Sequence, residues 1–294
     1  MRILVAGVGL FVAASTLACK NGSVESPTGP GPIPQPNTTI YYTAIGASDA
    51  IGIGASVSCL PYTDCPNGRG YVQVAARELI ARGFTVNLNN LGFPAHVLSR
   101  RLQDIGTQYG RTMTGNFLEQ QAPFVISNTT LVTIFAGAND VDTIMAALGG
   151  GAGGSDQAAQ TAYINTQIDA FAQEFATLVG TVRDRAPDAR VVVLNLPNMA
   201  GMPRRAGAPV QRRRAEQMLS VGITTRVINP RASAGVVVID LMCDPRSSQA
   251  ATYSSDGFHP SDIGYAWIAA EVVAAATTSY RAPATSCPQM TLVQ

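Results

Sequence analysis

The chain of 294 residues contains only two histidines, and one of them, His259, follows Asp256 by three positions. Far upstream, Ser48 comes directly after a short run of apolar residues with the pattern of a β-strand. A serine hydroxyl becomes a good nucleophile when a neighbouring imidazole takes its proton, and a carboxylate beside the imidazole fixes its tautomer. Alone, the Asp-x-x-His spacing would suggest a helix cap or a surface pair. Together with Ser48 it indicates a serine hydrolase.

Two further segments could supply the hydrogen bonds that a developing oxyanion needs. Asn139 follows a strand-like run, and its amide could donate together with the backbone N–H groups of Ser48 and Gly92. The same residue types also fit local roles, since Asn and Asp cap helices and glycine is common in turns. We expect Asp140 to cap the next helix and Asn139 to point at the site.

Short apolar runs alternate with longer segments of helical periodicity from residue 40 onward. Such alternation is typical of an α/β fold with a parallel sheet, whose ligands bind at the carboxyl ends of the strands. Ser48, Gly92 and Asn139 all follow predicted strand ends. The predicted strands are 40–46, 84–91, 130–136, 190–196 and 235–241. The predicted helices are 70–82, 157–185, 209–228 and 261–276, the last with Ser261 as its N-cap.

Four segments, in this order, resemble those of the SGNH (GDSL-type) hydrolase family. They are Gly-Ala-Ser at 46–48, Asn-Leu-Gly at 90–92, Gly-Ala-Asn-Asp at 137–140 and Asp-Gly-Phe-His-Pro at 256–260. The resemblance implies a three-layer α/β/α sandwich of the flavodoxin-like type with a five-stranded parallel sheet. It also implies an ester hydrolase with Ser48, His259 and Asp256 as catalytic triad, and with Ser48, Gly92 and Asn139 as oxyanion hole.

The serine segment departs from the family's pattern at two positions. Ala47 stands where the family usually has aspartate, and Asp49 stands where it usually has an aliphatic or aromatic residue. The missing carboxylate at position 47 normally helps to order the serine turn, so this departure bears on the geometry and rate of the site.

Composition points to neither a cofactor nor a nucleic acid. The net charge is +1, and the chain has no Cys-x-x-Cys pair or histidine-rich cluster that would suit zinc. We expect a monomer without cofactor or metal that acts on a small-molecule ester or on the ester of a lipid or sugar. The alternatives are an acyltransferase that uses the same site and a surface binding module with a weakened site.

The first residues have the features of an export signal followed by a tether. One positive charge, an apolar run of about a dozen residues and small residues before Cys19 are typical of a secretory signal over 1–18 and of a bacterial lipobox. We expect Cys19 to be lipidated, 19–39 to be a disordered tether rich in Pro, Gly, Ser and Thr, and 40–294 to be the hydrolase domain. The protein would be lipid-anchored in the bacterial cell envelope, the alternative being a secreted or soluble periplasmic protein.

The other four cysteines are an even number, which fits a disulfide framework in an exported protein. Three pairings are possible, and locality favours Cys59 with Cys65 and Cys243 with Cys287. The first pair would close a short loop, and the second would join the end of the last strand to the C-terminal tail.

His96 and a basic run are the remaining polar features. His96 would be either a polar residue at the start of a helix or a substrate contact at the pocket edge. Arg204, Arg205 and residues 212–214 would be either a solvated face or a contact for anionic headgroups if the N-terminus is lipidated.

Overall fold

Five parallel strands form the central sheet of the computed structural model, which describes residues 29–294. The strands of the chain are β1 (Thr39–Gly46), β2 (Thr85–Asn90), β3 (His96–Val97), β4 (Gly115–Asn116), β5 (Leu131–Phe135), β6 (Arg190–Leu194) and β7 (Val237–Ile239). The central sheet has the order β2-β1-β5-β6-β7, and β3 pairs with β4 in a separate two-stranded sheet. The predicted five-stranded parallel sheet is confirmed, and the ends of its strands differ from those of the predicted runs by at most two residues.

Seven α-helices flank the sheet within the described residues. They are α1 (Tyr71–Ala81), α2 (Arg100–Gln108), α3 (Phe117–Gln120), α4 (Ala138–Gly149), α5 (Gln157–Arg185), α6 (Val210–Gly222) and α7 (Asp262–Thr277). Helix α1 packs against α7, whereas α2, α4, α5 and α6 pack among themselves. Because crossovers between parallel strands are right-handed, the strand order β2-β1-β5-β6-β7 places these two groups on opposite faces of the sheet. The predicted three-layer α/β/α sandwich is thus confirmed.

Three of the four predicted helices match α1, α5 and α7 to within one residue. Ser261 caps α7 as predicted, because its Oγ accepts from the Gly264 N–H at 3.3 Å. The periodicity does not reveal α2, which buries only Leu102 and Gly106, or α4, which is buried almost all round. Helix α2 has only two large apolar residues, Leu102 and Ile105, and α4 has hardly any exposed polar face, so neither shows the broad apolar stripe on which such a prediction depends.

The predicted helix over 209–228 is helical along nearly its whole length, but its last third is not α-helix. Helix α6 ends at Gly222, and Ile223–Ile228 forms a π-helix. Within this segment the Thr224 hydroxyl hydrogen-bonds both the N–H and the C=O of Leu196, at 3.2 Å each. This tertiary contact, which apolar periodicity does not record, ties the segment to the carboxyl end of β6.

The direction of strand addition reverses between β1 and β5. From β1 the chain moves outward to the edge strand β2, and it then crosses back to β5 on the other side of β1. Ligands of open α/β sheets bind in the crevice outside the strand ends at such a switch point. Ser48 follows β1 and Asn139 follows β5, so the topology brings both residues to this crevice.

Two disulfides are present, Cys59–Cys65 and Cys243–Cys287. The pairing favoured by locality is therefore confirmed. Because disulfides persist in oxidising compartments, they are consistent with export.

The predicted signal peptide and Cys19 lie outside the described residues. Residues 29–38, the described end of the predicted tether, have no regular helix or strand. They contact the domain, since Gly31 accepts a hydrogen bond from Arg190 Nη1 at 2.8 Å. Within residues 29–294, no helix is long and apolar enough to cross a membrane.

Candidate active site

Ser48, His259 and Asp256 form one line of hydrogen bonds at the crevice. Ser48 Oγ lies 2.9 Å from His259 Nε2, and His259 Nδ1 lies 2.6 Å from Asp256 Oδ2. Ser48 is buried at the start of a 3₁₀ turn after β1, whereas His259 stands on the loop before α7. The fold thus brings together two residues that are 211 positions apart and engages both imidazole nitrogens.

Hydrogen bonds hold the Asp256 carboxylate as an anion. Its Oδ1 accepts from the Ser254 hydroxyl and from the N–H groups of Phe258 and His259, at 2.8, 2.8 and 2.9 Å. Burial alone would raise the pKa of Asp256, but these bonds and the His259 contact lower it to about 2. An ionised Asp256 favours the tautomer of a neutral His259 with its proton on Nδ1, which leaves Nε2 free to accept from Ser48.

The turn that carries His259 depends on Gly257. Its φ is +67°, in the left-handed region that favours glycine, and a Cβ there would lie 2.6 Å from Arg204 N. The Gly257 carbonyl accepts from that Arg204 N–H at 3.1 Å, and Ser254 N–H donates to the His259 carbonyl at 2.8 Å. These bonds fix the loop on both sides of the imidazole.

Asn139 reaches the crevice from the first turn of α4. Its Nδ2 donates to the His96 carbonyl oxygen at 3.0 Å, and its Oδ1 accepts from Arg111 Nη2 at 3.3 Å. Because a guanidinium only donates hydrogen bonds, this contact decides which end of the amide is oxygen. The amide nitrogen keeps one hydrogen without an acceptor among the described residues, and Asn139 lines the same cleft as Ser48.

The two predicted backbone donors differ. Ser48 N–H has no acceptor among the described residues, since the first amides of a helical turn have no partner within it. Gly92 N–H donates to the Asn90 side-chain oxygen at 3.0 Å, so in this arrangement it is already engaged. It would reach an oxyanion only by giving up Asn90, and its role in an oxyanion hole stays a prediction.

Asp140 does not cap α4, contrary to the sequence prediction. Gly137 occupies the cap position, and Asp140 lies buried within the first turn. Its Oδ1 accepts from Leu98 N–H at 2.8 Å, while Oδ2 is buried without a partner in the described part of the chain. Burial raises the pKa of Asp140 to about 7, against the lowering effect of the Leu98 hydrogen bond. The carboxyl group therefore anchors the loop after β3.

Asp140→Asn should flatten the pH dependence of folding stability. Between the usual pKa of 3.8 and the folded value of about 7, the folded protein holds a proton that the unfolded chain has lost. The contribution of Asp140 to the free energy of unfolding therefore falls as the pH rises through this interval, by up to about 1.4 kcal/mol per pH unit. Asparagine keeps the acceptor for Leu98 and has no proton to lose. Urea unfolding should show that the stability of the variant relative to the wild type increases from about pH 5 to about pH 8. Equal changes in the free energy of unfolding of both proteins would contradict this prediction.

Gln121 and Asn90 order the serine turn. Gln121 does not stand out in the sequence, and Asn90 appears there only as the first residue of the segment that ends in Gly92. Gln121 accepts from the Gly46 N–H and donates to the Gly46 C=O, both at 2.9 Å. Asn90 Nδ2 donates to a carbonyl oxygen within the turn at 2.7 Å. Because Ala47 has no polar side chain, these two amides supply the polar contacts that hold this part of the chain.

His96 lies beside the site as a buried ring. It belongs to β3, so its prediction as the start of a helix is wrong. Burial lowers the pKa of His96 to about 4, and its Nδ1 lies 2.8 Å from the Gln121 amide nitrogen. His96 lines the cleft together with Ser48 and Asn139, and its contact with substrate stays a prediction.

Asp49 forms a polar wall of a second, largely apolar cavity next to Ser48. Its other walls include Phe135, Leu196, Leu241, Phe258 and Trp267. Burial raises the pKa of Asp49, and the charge of a protonated His259 lowers it. The departure from the family's pattern at position 49 thus introduces a carboxyl group where an apolar side chain would complete the cavity.

The basic run does not form a solvated face at Arg204 and Arg205. Both side chains bind Asp142, at 2.6 and 2.9 Å, and Arg205 also lies 2.7 Å from the buried Glu216 of α6. Their side chains are only 22% and 13% exposed, so the prediction of a solvated face is wrong for these two residues. The sequence could not show that a carboxylate from α4 lies between them.

Comparison with known proteins gives one family and a consistent fold. The model of the GDSL-like Lipase/Acylhydrolase family matches residues 44–267, and no curated protein matches the chain. The structure is similar to the lipase Lip_vut3 from a goat rumen metagenome, with a TM-score of 0.54 and 17% identity over 81% of this chain and 98% of that one. An extracellular lipase from Streptomyces rimosus is similar with a TM-score of 0.49 and 20% identity, over 78% and 97% of the two chains.

Proposed function

Because this chain belongs to the GDSL-like lipase/acylhydrolase family and is an SGNH-type ester hydrolase, we propose that it cleaves carboxylic esters through Ser48, His259 and Asp256. The observation that carries this proposal is the continuous line of hydrogen bonds from Ser48 Oγ through the imidazole to Asp256 Oδ2. A nucleophile, a base and an orienting carboxylate stand in the mutual positions that acyl transfer requires.

In the first step, Ser48 Oγ attacks the carbonyl carbon of the ester while its proton passes to His259 Nε2. Asp256, ionised because its pKa is about 2, stabilises the imidazolium that forms. His259 then protonates the alcohol oxygen, the C–O bond breaks and the alcohol leaves. In the second step, water gives a proton to His259 and attacks the acyl-Ser48 carbonyl. The bond between the acyl carbon and Ser48 Oγ then breaks, and His259 returns the proton to Ser48 Oγ, which releases the acid and restores the enzyme.

The oxyanion of each tetrahedral intermediate needs donors that are already in place. Asn139 Nδ2, with one hydrogen available, and the unpartnered Ser48 N–H supply two. Gly92 N–H would be a third once it leaves Asn90. The apolar walls of the cavity beside Ser48 suit the first carbon atoms of an acyl group, since its volume is about 40 Å³. The substrate would be a small-molecule ester or the ester of a lipid or sugar.

A fluorophosphonate probe tests the proposed nucleophile directly. An activated serine displaces fluoride from phosphorus and keeps the phosphonyl group, so we expect one label per chain, located at Ser48 by peptide mapping. His259→Ala should label far more slowly, since it lacks the base. If the folded protein hydrolyses acyl esters but labels elsewhere, Ser48 is not the nucleophile.

We further propose that Cys19 carries lipid, because small residues precede it after a short apolar run. The wild type should fractionate with membranes, since each buried CH₂ of an acyl chain adds about 0.8 kcal/mol. Metabolic labelling with a fatty acid should mark the wild type and not Cys19→Ser. A Cys59→Ser, Cys65→Ser double variant, matched in chemistry, should still be labelled. A wholly soluble wild type cleaved at another residue would rule out lipidation, and the hydrolase proposal would stand.

A further inference from the structure

Three arginines, one after α2 and two adjacent ones after β6, surround one buried carboxylate beside the active site. Arg111, Arg204 and Arg205 lie 3.5, 2.6 and 2.9 Å from the oxygens of Asp142, whose side chain is 6% exposed. A single ion pair would neutralise this carboxylate, so the arrangement brings more positive charge to the position than Asp142 requires.

A second carboxylate does not remove the surplus. The buried Glu216 contacts Arg205 at 2.7 Å and Arg212 at 3.7 Å, so four guanidiniums face two carboxylates. After burial, the charge of Arg204 is the next largest cause that lowers the pKa of Arg205, as crowding of like charges should. The cluster therefore carries an excess of positive charge that an added anion would neutralise.

Arg111 and Arg204 combine unused donors with access to solvent. Arg111 makes one side-chain hydrogen bond, to Asn139, and Arg204 bonds Asp142 through Nη2 alone. The Nε atoms of both are buried without a partner among the described residues. Each guanidinium has five N–H donors in a planar fork that matches the oxygens of a phosphate or carboxylate. Their side chains are 34% and 22% exposed, so solvent reaches them.

Both guanidiniums border residues of the catalytic cleft. Arg111 contacts the amide of Asn139, and Arg204 stacks 3.5 Å above the ring of Phe258, the residue before His259. Asn139 and Phe258 line the cleft at Ser48. An anion held by the two arginines would therefore lie next to the scissile ester and not at a remote surface.

We infer that Arg111 and Arg204 form a subsite for a phosphate or carboxylate group on the alcohol part of the ester substrate. The alcohol part is indicated because the apolar cavity next to the cleft suits an acyl group, which leaves a charged group of the substrate to the alcohol. The inference rests on the proposed function, since it needs an ester bound at Ser48.

The test compares butyryl glycerol with butyryl glycerol 3-phosphate, which differ only in the phosphate. The wild type should prefer the phosphate ester in kcat/KM, mainly through KM. Arg204→Gln and Arg111→Gln should each reduce this preference by about tenfold to hundredfold, the range for a hydrogen bond to a charged group. Arg204→Lys should retain part of it. Arg226→Gln, which removes an arginine paired with Asp169 at the surface, should retain all of it.

The same pair with dodecanoyl chains separates two sources of the anion. If the phosphate ester is preferred with both chain lengths, the anion belongs to a soluble phosphorylated alcohol. If it is preferred only with the dodecanoyl chain, the anion belongs to a lipid headgroup. Either result supports the subsite. Hydrolysis of both butyryl and both dodecanoyl esters without preference, or a preference unchanged in both glutamine variants, overturns the subsite and leaves the proposed function intact. Failure to cleave any ester, together with no fluorophosphonate label, defeats both.

Discussion

Ser48→Ala is expected to lower kcat/KM for ester hydrolysis by about 10⁴-fold or more while the protein stays folded. The substitution removes the attacking oxygen and its hydrogen bond to His259, and nothing else in the serine turn depends on that hydroxyl. The backbone bonds of Gly46 to Gln121 should persist. The measurement is turnover of the best ester from an acyl panel, with circular dichroism and urea unfolding to verify the fold.

Two comparisons make this result specific. Ser220→Ala, which removes another buried serine hydroxyl, bonded to the Glu216 carbonyl in α6, should leave turnover near the wild-type value. His259→Ala should be about as damaging as Ser48→Ala, and the double variant little worse, because the two residues act as one unit. Turnover of Ser48→Ala within about tenfold of the wild type would remove Ser48 from the mechanism.

Asn139→Ala is expected to lower kcat by about 10²- to 10³-fold with little change in KM. Its amide hydrogen would meet charge that appears on the carbonyl oxygen only as the tetrahedral intermediate forms. The structure supports this role because the Arg111 contact sets the amide oxygen away from the available hydrogen. Steady-state kinetics on one ester separates the two constants.

Asn139→Asp provides the matched variant, since it keeps the size of the side chain and an acceptor for Arg111 but replaces the donor by an anion. It should be at least as impaired in kcat as Asn139→Ala. If either variant changes KM alone, Asn139 binds substrate in the ground state and is not an oxyanion donor.

The central strands of the sheet were predictable because a strand that is buried on both faces consists mainly of apolar residues. All five residues of β5 and of β6 are buried, and both strands appear in the sequence as apolar runs. The residues after such runs lie at the carboxyl edge of a parallel sheet, which is why Ser48 and Asn139 could be placed together. Helices α2 and α4 escaped because one has few apolar residues and the other is buried on nearly all sides.

The sequence by itself predicted the fold class, favoured by locality the two disulfide pairs that the structure contains, and supplied the residues of the proposed triad in order. Only the tertiary structure decided which polar atoms form hydrogen bonds with each other. Gly92 N–H donates to Asn90, and Gln121 accepts from Gly46 at the end of β1. Arg111 donates to the amide oxygen of Asn139 and so orients that side chain. Apolar periodicity reports which face of an element is buried. It does not report rotamers or side-chain partners 28 or 75 positions away, and these depend on how separate elements pack.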